Sequence, residues 1–235
     1  MNQFFWSADN YDIGETPSDA WFNDAGTFSS WNIEEDDAGK FLHIVASAGT
    51  QRRFLSFIPV GIATGVSVFA LLKYRDTGAG AHDFAVLMNA SNLETPNTTN
   101  ADRIDYFNAN RRISWYANGN FDGGANTAIS NSTFLLRQLR ATKDVSGVLR
   151  RRDWLFGEDE PDDWEQSRSG SPIGNTGKTG IFVWDRGLRL YAFGVGVNGA
   201  PAPSGPVGVI PTLLKPEATI VTTSQIGFKI PVEFQ

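Results

Sequence analysis

Short runs of apolar and β-branched residues recur along the sequence, each closed by a turn signal within about a dozen residues, and no stretch carries the 3.6-residue period of an amphipathic helix. A chain written this way has few options beyond two packed antiparallel sheets. Val66, Val68, Ala70 and Leu72 alternate with Ser67, Phe69, Leu71 and Lys73, and with both sets mostly apolar the segment predicts a buried sandwich strand. Residues 54–72 are uncharged and approach the ~20 residues that span a bilayer. Ser56, Pro59, Gly61, Thr64, Gly65 and Ser67 interrupt them, so no membrane helix is expected.

The strongest turn is Asn118-Gly119. It follows Arg112-Ile113-Ser114-Trp115-Tyr116-Ala117 and precedes Asn120-Phe121, which is hairpin grammar. Trp115 and Tyr116 point to opposite faces of their strand, so one of them should meet solvent, and both are candidate ligand contacts. Further strands are expected at 41–45, 84–88, 104–107 and 188–195, the last apolar on both faces.

Residues 133–182 hold Leu136-Arg137-Gln138-Leu139-Arg140, a turn at Ser146-Gly147, and Val148-Leu149-Arg150-Arg151-Arg152-Asp153-Trp154. Gly157, Glu160-Pro161 and Trp164 follow, then Gly177 and Gly180-Ile181-Phe182. A basic strand ending in Trp, an acidic Glu-Pro turn before a second Trp, and a Gly-punctuated return resemble the closing half of laminin G-like, concanavalin A-like jelly-roll domains. Asp12-x-Gly14-x-x-Pro17 followed by Trp21 resembles their opening strand and turn. The resemblance spans roughly residues 4–198 and implies an all-β, antiparallel two-sheet jelly-roll sandwich. Trp164 joins Trp115 and Tyr116 as a ligand candidate. The three consecutive arginines could attract a charged ligand, or could pair across the turn with Glu158 to Glu165 on a solvated surface.

Aromatics and acids interleave over residues 4–32, a mixture that suits a carbohydrate platform or a core, with core the stronger expectation. Glu34-Glu35-Asp36-Asp37 before Gly39 predicts a turn. Calcium is the alternative reading, since oxygen clusters hold it when several converge, but no known loop spacing is present and no cofactor or metal ligand set is assigned. With no cysteine there is no disulfide or thiolate site, and His43 and His82 lack ligand-like spacing. A net charge of -6 argues against nucleic acid.

Residues 1–198 are expected as the jelly roll, 199–216 as a Pro-rich linker and 217–235 as a β-arm. Ile226, Phe228, Ile230, Val232 and Phe234 form one apolar stripe opposite Gly227, Lys229, Pro231 and Glu233, so they are the candidate assembly contacts, pairing with another subunit or folding back on their own sandwich. A glycosidase needs paired carboxylates, and Glu158 to Glu165 does not reproduce the jelly-roll glucanase pattern Glu-x-Asp-x-x-Glu, so no enzyme activity is expected.

The first basic residue is Lys40, which leaves no positive opening for a secretory signal. The run 193–203 resembles the junction after laminin G-like domains in phage virion proteins. That resemblance implies a structural protein of a bacteriophage virion (capsid decoration, head fibre or tail), made in the host's cytoplasm, oligomeric or bound to other virion proteins, and able to touch host glycans. The alternatives are a free carbohydrate-binding module, a glycoside hydrolase, and a fragment of a bacterial surface protein.

Overall fold

The structure, a computed structural model, describes residues 2–17, 22–25, 28–46, 53–57, 65–74, 84–91, 100–107, 110–118, 120–125, 127–128, 135–174, 177–183 and 187–205. In chain order the strands are β1 (Gln3–Ser7), β2 (Phe22–Ala25), β3 (Phe28–Asp36), β4 (Gly39–Ala46), β5 (Arg53–Phe57), β6 (Val66–Tyr74), β7 (Phe84–Ala90) and β8 (Ala101–Phe107). They continue as β9 (Asn110–Ala117), β10 (Asn120–Gly123), β11 (Thr127–Ala128), β12 (Leu135–Lys143), β13 (Leu149–Leu155), β14 (Gln166–Arg168), β15 (Lys178–Val183) and β16 (Gly187–Gly196).

Every pairing is antiparallel, and the strands form two sheets. The first runs β14-β13-β12-β6-β16-β4-β3, with β1 also on β16; the second runs β10-β9-β8-β7-β15-β5-β2, with β11 on β9. The protein is therefore an all-β, two-sheet jelly-roll sandwich. Among the described residues no helix is long and apolar enough to cross a membrane.

Alternation decides what goes inside. Val66, Val68, Ala70 and Leu72 of β6 meet Val86 and Met88 of β7, Ile104 of β8 and Ile181 of β15 in one core. Phe69 and Leu71 point the other way, onto the outer face of the first sheet with Trp154 and Phe5. Trp6 is 1% exposed, and its indole N–H donates to the Tyr11 hydroxyl at 3.1 Å, so the ring is buried without orphaning its one donor. Burial in turn pushes the Tyr11 hydroxyl up to about 12.

The closing strand β16 looked apolar on both faces because its phase changes midway. Leu190 opposes Leu72 while Ala192 opposes Leu71, so Tyr191 is an inserted residue. Leu188 and Leu190 face inward before this bulge, Phe193 and Val195 after it, and the Tyr191 hydroxyl is turned onto Asp36 Oδ2 at 2.8 Å. Glu34 to Asp36 belong to β3 rather than to a turn; the reversal is Asp37-Ala38, completed by Gly39 at φ 116, where only glycine sits without strain.

The Pro-rich segment after β16 is not a strand where it is described, and it lies across the outer face of the first sheet. Ala202 is buried on Phe69 and Trp154, its amide donates to Ser67 Oγ at 3.0 Å, and its carbonyl accepts from Arg140 Nη1 at 2.7 Å. The glycines beneath it allow this approach. A Cβ on Gly194 would stand 2.1 Å from the Pro203 carbonyl oxygen, and one on Gly196 2.2 Å from that of Ala200. The apolar stripe 226–234, with the rest of the arm, lies outside the described residues.

Candidate functional site

On β8 and β9 the side chains alternate between the core and the outer face of the second sheet. Ile104, Tyr106, Ile113 and Trp115 go inward. Arg103, Asp105, Arg112, Ser114 and Tyr116 therefore face outward. The same face receives Phe121 from β10, opposite Tyr116, and Ala85 and Leu87 from β7, opposite Asp105 and Arg103. Phe182 of β15 packs with Ala85 and Leu87.

Asp105 is the hub of this face and is only 2% exposed. Arg103 donates to its Oδ1 from Nε at 3.0 Å, with Nη2 at 2.8 Å. Arg112 Nε approaches Oδ2 at 3.4 Å, and the Ser114 hydroxyl also donates to Oδ2. The two guanidiniums lean on aromatic rings: Arg103 lies 5.1 Å from the Phe182 centroid and Arg112 4.6 Å from that of Phe121. Phe121 itself is 43% exposed, and Tyr116 beside it is half-buried. The result is a bed of held polar groups flanked by accessible aromatic surface, a combination that binds polar ligands with apolar faces.

The three ligand candidates from the sequence do not share this site. Tyr116 belongs to it. Trp115 is the partner that turned inward: it is 6% exposed, in the core, with the Arg168 guanidinium 3.5 Å from its ring centroid. Trp164 sits in the loop after β13 with Arg152 4.4 Å from its centroid. Arg152 alternates with the inward Arg151, so Trp164 accompanies the opposite outer surface of the sandwich. Phe121 was not singled out from the sequence, although the Asn118-Gly119 hairpin signal leads into its strand and the register sets it across from Tyr116.

The three arginines each find a carboxylate, but not all on a solvated surface. Arg150 pairs with Asp144 at 2.7 Å and Arg152 pairs with Glu160. Arg151 is 0% exposed, and it contacts Asp153 at 2.9 Å and Glu165 at 3.1 Å. Asp153 also binds Arg111 and takes Arg137 Nε at 2.8 Å. Burial works against the Asp153 charge, but Arg111, Arg137 and Arg151 more than offset it and hold the carboxyl below the usual range. Arg152–Glu160 and Arg151–Glu165 are the cross-turn pairs expected from the sequence, and a buried network linking β9 of the second sheet to β12 and β13 of the first is added to them through Arg151 and Asp153.

The acidic run at 34–37 is likewise supplied with cations by the chain. Asp36 accepts from Lys73 at 3.1 Å and Arg189 at 2.7 Å, Asp37 from Lys73 at 2.7 Å, and Glu34 is 2.8 Å from His43 Nδ1. Some burial opposes ionisation of Asp36, yet the Ala38 amide, Tyr191, Lys73 and Arg189 together hold its carboxyl below the usual range. Among the described residues no three His, Asp or Glu side chains are grouped to hold a metal.

Neither a protein family nor a curated protein matches the sequence. The fold has solved counterparts. A protein of unknown function from Shewanella oneidensis MR-1 superposes with a TM-score of 0.60 at 11% identity, over 86% of this chain and 90% of that one. The potassium-bound carbohydrate recognition domain of Emp46p gives 0.55 at 8% identity, over 83% and 97%. The exoplasmic/lumenal domain of VIP36, bound to calcium and Man3GlcNAc, gives 0.54 at 9% identity, over 82% and 90%. At these identities the likeness is one of fold, a jelly-roll sandwich shared with carbohydrate-recognition domains.

Proposed function

We propose that this jelly roll binds carbohydrate, without cleaving it, on the outer face of the second sheet. The observation that carries the reading is the cross-strand pair Tyr116 and Phe121, with accessible ring surface beside the fixed polar groups of Arg103, Asp105, Arg112 and Ser114. Sugar rings present apolar C–H faces and a rim of hydroxyls, so they need aromatic surface and oriented donors and acceptors together. The likeness in fold to the Emp46p and VIP36 domains is consistent with this use.

Hydrolysis is a poor fit. It would need two carboxylates about 5 to 9 Å apart over the sugar. Among the described residues of this face Asp105 is the one acid, and its oxygens already accept from Ser114 and two arginines. Affinity electrophoresis through gels containing polysaccharides tests the assignment. Tyr116→Ala and Phe121→Ala should each abolish retardation, whereas Trp164→Ala should leave it intact; retardation unchanged in both of the first two variants would remove this face from consideration.

The narrower reading, a structural protein of a phage virion, draws support from the 193–203 junction and the apolar stripe 226–234 of the sequence. Its test is the solution mass of the full chain beside one ending at Gly205. An oligomer that becomes monomeric on truncation supports an assembly arm, and equal subunit counts leave the carbohydrate-binding module standing without it.

A further inference from the structure

We propose that the ligand of this face is an anionic glycan, one bearing carboxylate or sulfate groups, and that the Arg112 guanidinium receives the anion; the inference rests on the carbohydrate-binding reading above. By the same alternation the face carries three cations, Arg103, Arg112 and the exposed Lys178 of β15, against the one carboxylate of Asp105, a surplus of two positive charges among the described residues, on a chain whose net charge is -6.

Lys178 stands three strands away from Tyr116 in the sheet, and beside the aromatic pair the hydrogen bonds show which guanidinium is open. Arg103 commits Nε and Nη2 to Asp105 and is 11% exposed. Arg112 commits only Nε, at the longer distance of 3.4 Å, and is 24% exposed. Its two terminal amines have no protein partner among the described residues. They form the planar fork that suits a carboxylate or sulfate bidentately.

The fork is also held in place. The Phe121 ring lies under it at 4.6 Å and the Asp105 carboxylate anchors its Nε, so little side-chain freedom remains to be lost on binding. Gly123 keeps the approach open: a Cβ there would stand 3.3 Å from Arg112 Nη1 and 2.9 Å from Phe121 Cε1. Buried Ala85, Leu87 and Phe182 lower the polarity of the neighbouring surface, which strengthens a charge contact beside it. A neutral sugar would use the ring surface and leave the cation unanswered.

The test is binding of the full chain, by calorimetry at low salt, to oligogalacturonate, to the same oligosaccharide after carboxyl reduction, and to a sulfated galactan beside its unsulfated form. At least one acidic ligand should bind about tenfold more tightly than its neutral counterpart, as one charge-assisted hydrogen-bonded contact would give. Which acid does so identifies the group. Arg112→Gln should erase the preference and Arg112→Lys should keep part of it, whereas Phe121→Ala should weaken charged and neutral ligands alike. Equal binding of both neutral and acidic forms, lost in Phe121→Ala, would overturn the anionic assignment and leave the glycan reading intact. Binding of none of the four would overturn both.

Discussion

Lys143 Nζ lies 2.6 Å from Asp102 Oδ2 with the two side chains only 1% and 0% exposed, an ion pair that ties β12 of the first sheet to β8 of the second through the interior. The ammonium also donates to the carbonyls of Ile173 at 2.8 Å and Gly174 at 3.3 Å, and the other Asp102 oxygen accepts from the Ser171 hydroxyl. Burial still raises the Asp102 carboxyl above its ordinary value, with Lys143 and Ser171 offsetting part of that, and the same contacts hold the loop between β14 and β15.

Removing one partner should be far worse than removing both. Lys143→Met leaves a buried carboxylate uncompensated and should cost about 3 to 5 kcal/mol. Lys143→Met combined with Asp102→Leu should recover much of that loss. Urea denaturation of the two variants measures the difference; a single variant within 1 kcal/mol of the parent would mean the pair is dispensable.

Acid should weaken the β12–β13 turn only as pH falls from about 4 toward about 2. The Asp144 carboxylate accepts from the Ser146 amide at 2.9 Å, the Val148 amide at 3.0 Å and Arg150 at 2.7 Å, and from the Ser146 hydroxyl. Slight burial opposes its charge, but the Ser146 and Arg150 contacts and the Val148 amide outweigh that and hold it at about 2. A carboxyl depressed on folding contributes stability above its unfolded value, near 3.9, and loses it as pH falls through the folded one. Thermal scans from pH 5 to pH 2 should therefore show a shallower acid decline for Asp144→Asn than for the parent, from a lower starting point. Parallel curves would discount the turn.

The strap over the first sheet should be worth a measurable share of the fold. A chain ending at Gly199 loses the Ala202 packing and the hydrogen bonds to Ser67, Arg140 and Gln3, about 2 to 4 kcal/mol relative to one ending at Gly205. Gly194→Ala should destabilise the longer chain, because its Cβ meets Pro203, and should cost little in the shorter one. The same penalty in both would place the strain elsewhere.

Much of this architecture is readable in the chain, because a period of two and the turn residues are local signals. The assignment of Val66, Val68, Ala70 and Leu72 to the interior follows from alternation, and the pairing of Tyr116 with Phe121 follows from Asn118-Gly119. Other features depend on partners remote in sequence. Arg151 and Asp153 look solvated until Arg111 and Arg137 arrive from two other strands. Tyr191 is one apolar residue among several until β6 fixes the register that makes it a bulge. Gly194 and Gly196 look like weak points of a strand until the backbone at 200–203 crosses them. The site divides in the same way: the hairpin places its aromatics, but Asp105 becomes a hub only through the pairing of β8 with β9.

The last two strands of the described chain each fill the middle of a sheet, β15 between β7 and β5, and β16 between β6 and β4. During synthesis, then, neither sheet can be completed from one side toward the other. A nascent chain that has reached residue 177 holds five strands, β1, β4, β5, β6 and β7, each with a hydrogen-bonding side still unmatched, and sealing requires pairings between segments more than a hundred residues apart, such as Phe193 with Trp6. Folding of this kind is slow and exposed to intermolecular strand pairing. Chains stalled before residue 187 should be cut readily by protease, and chains stalled with residue 205 clear of the ribosome should resist it.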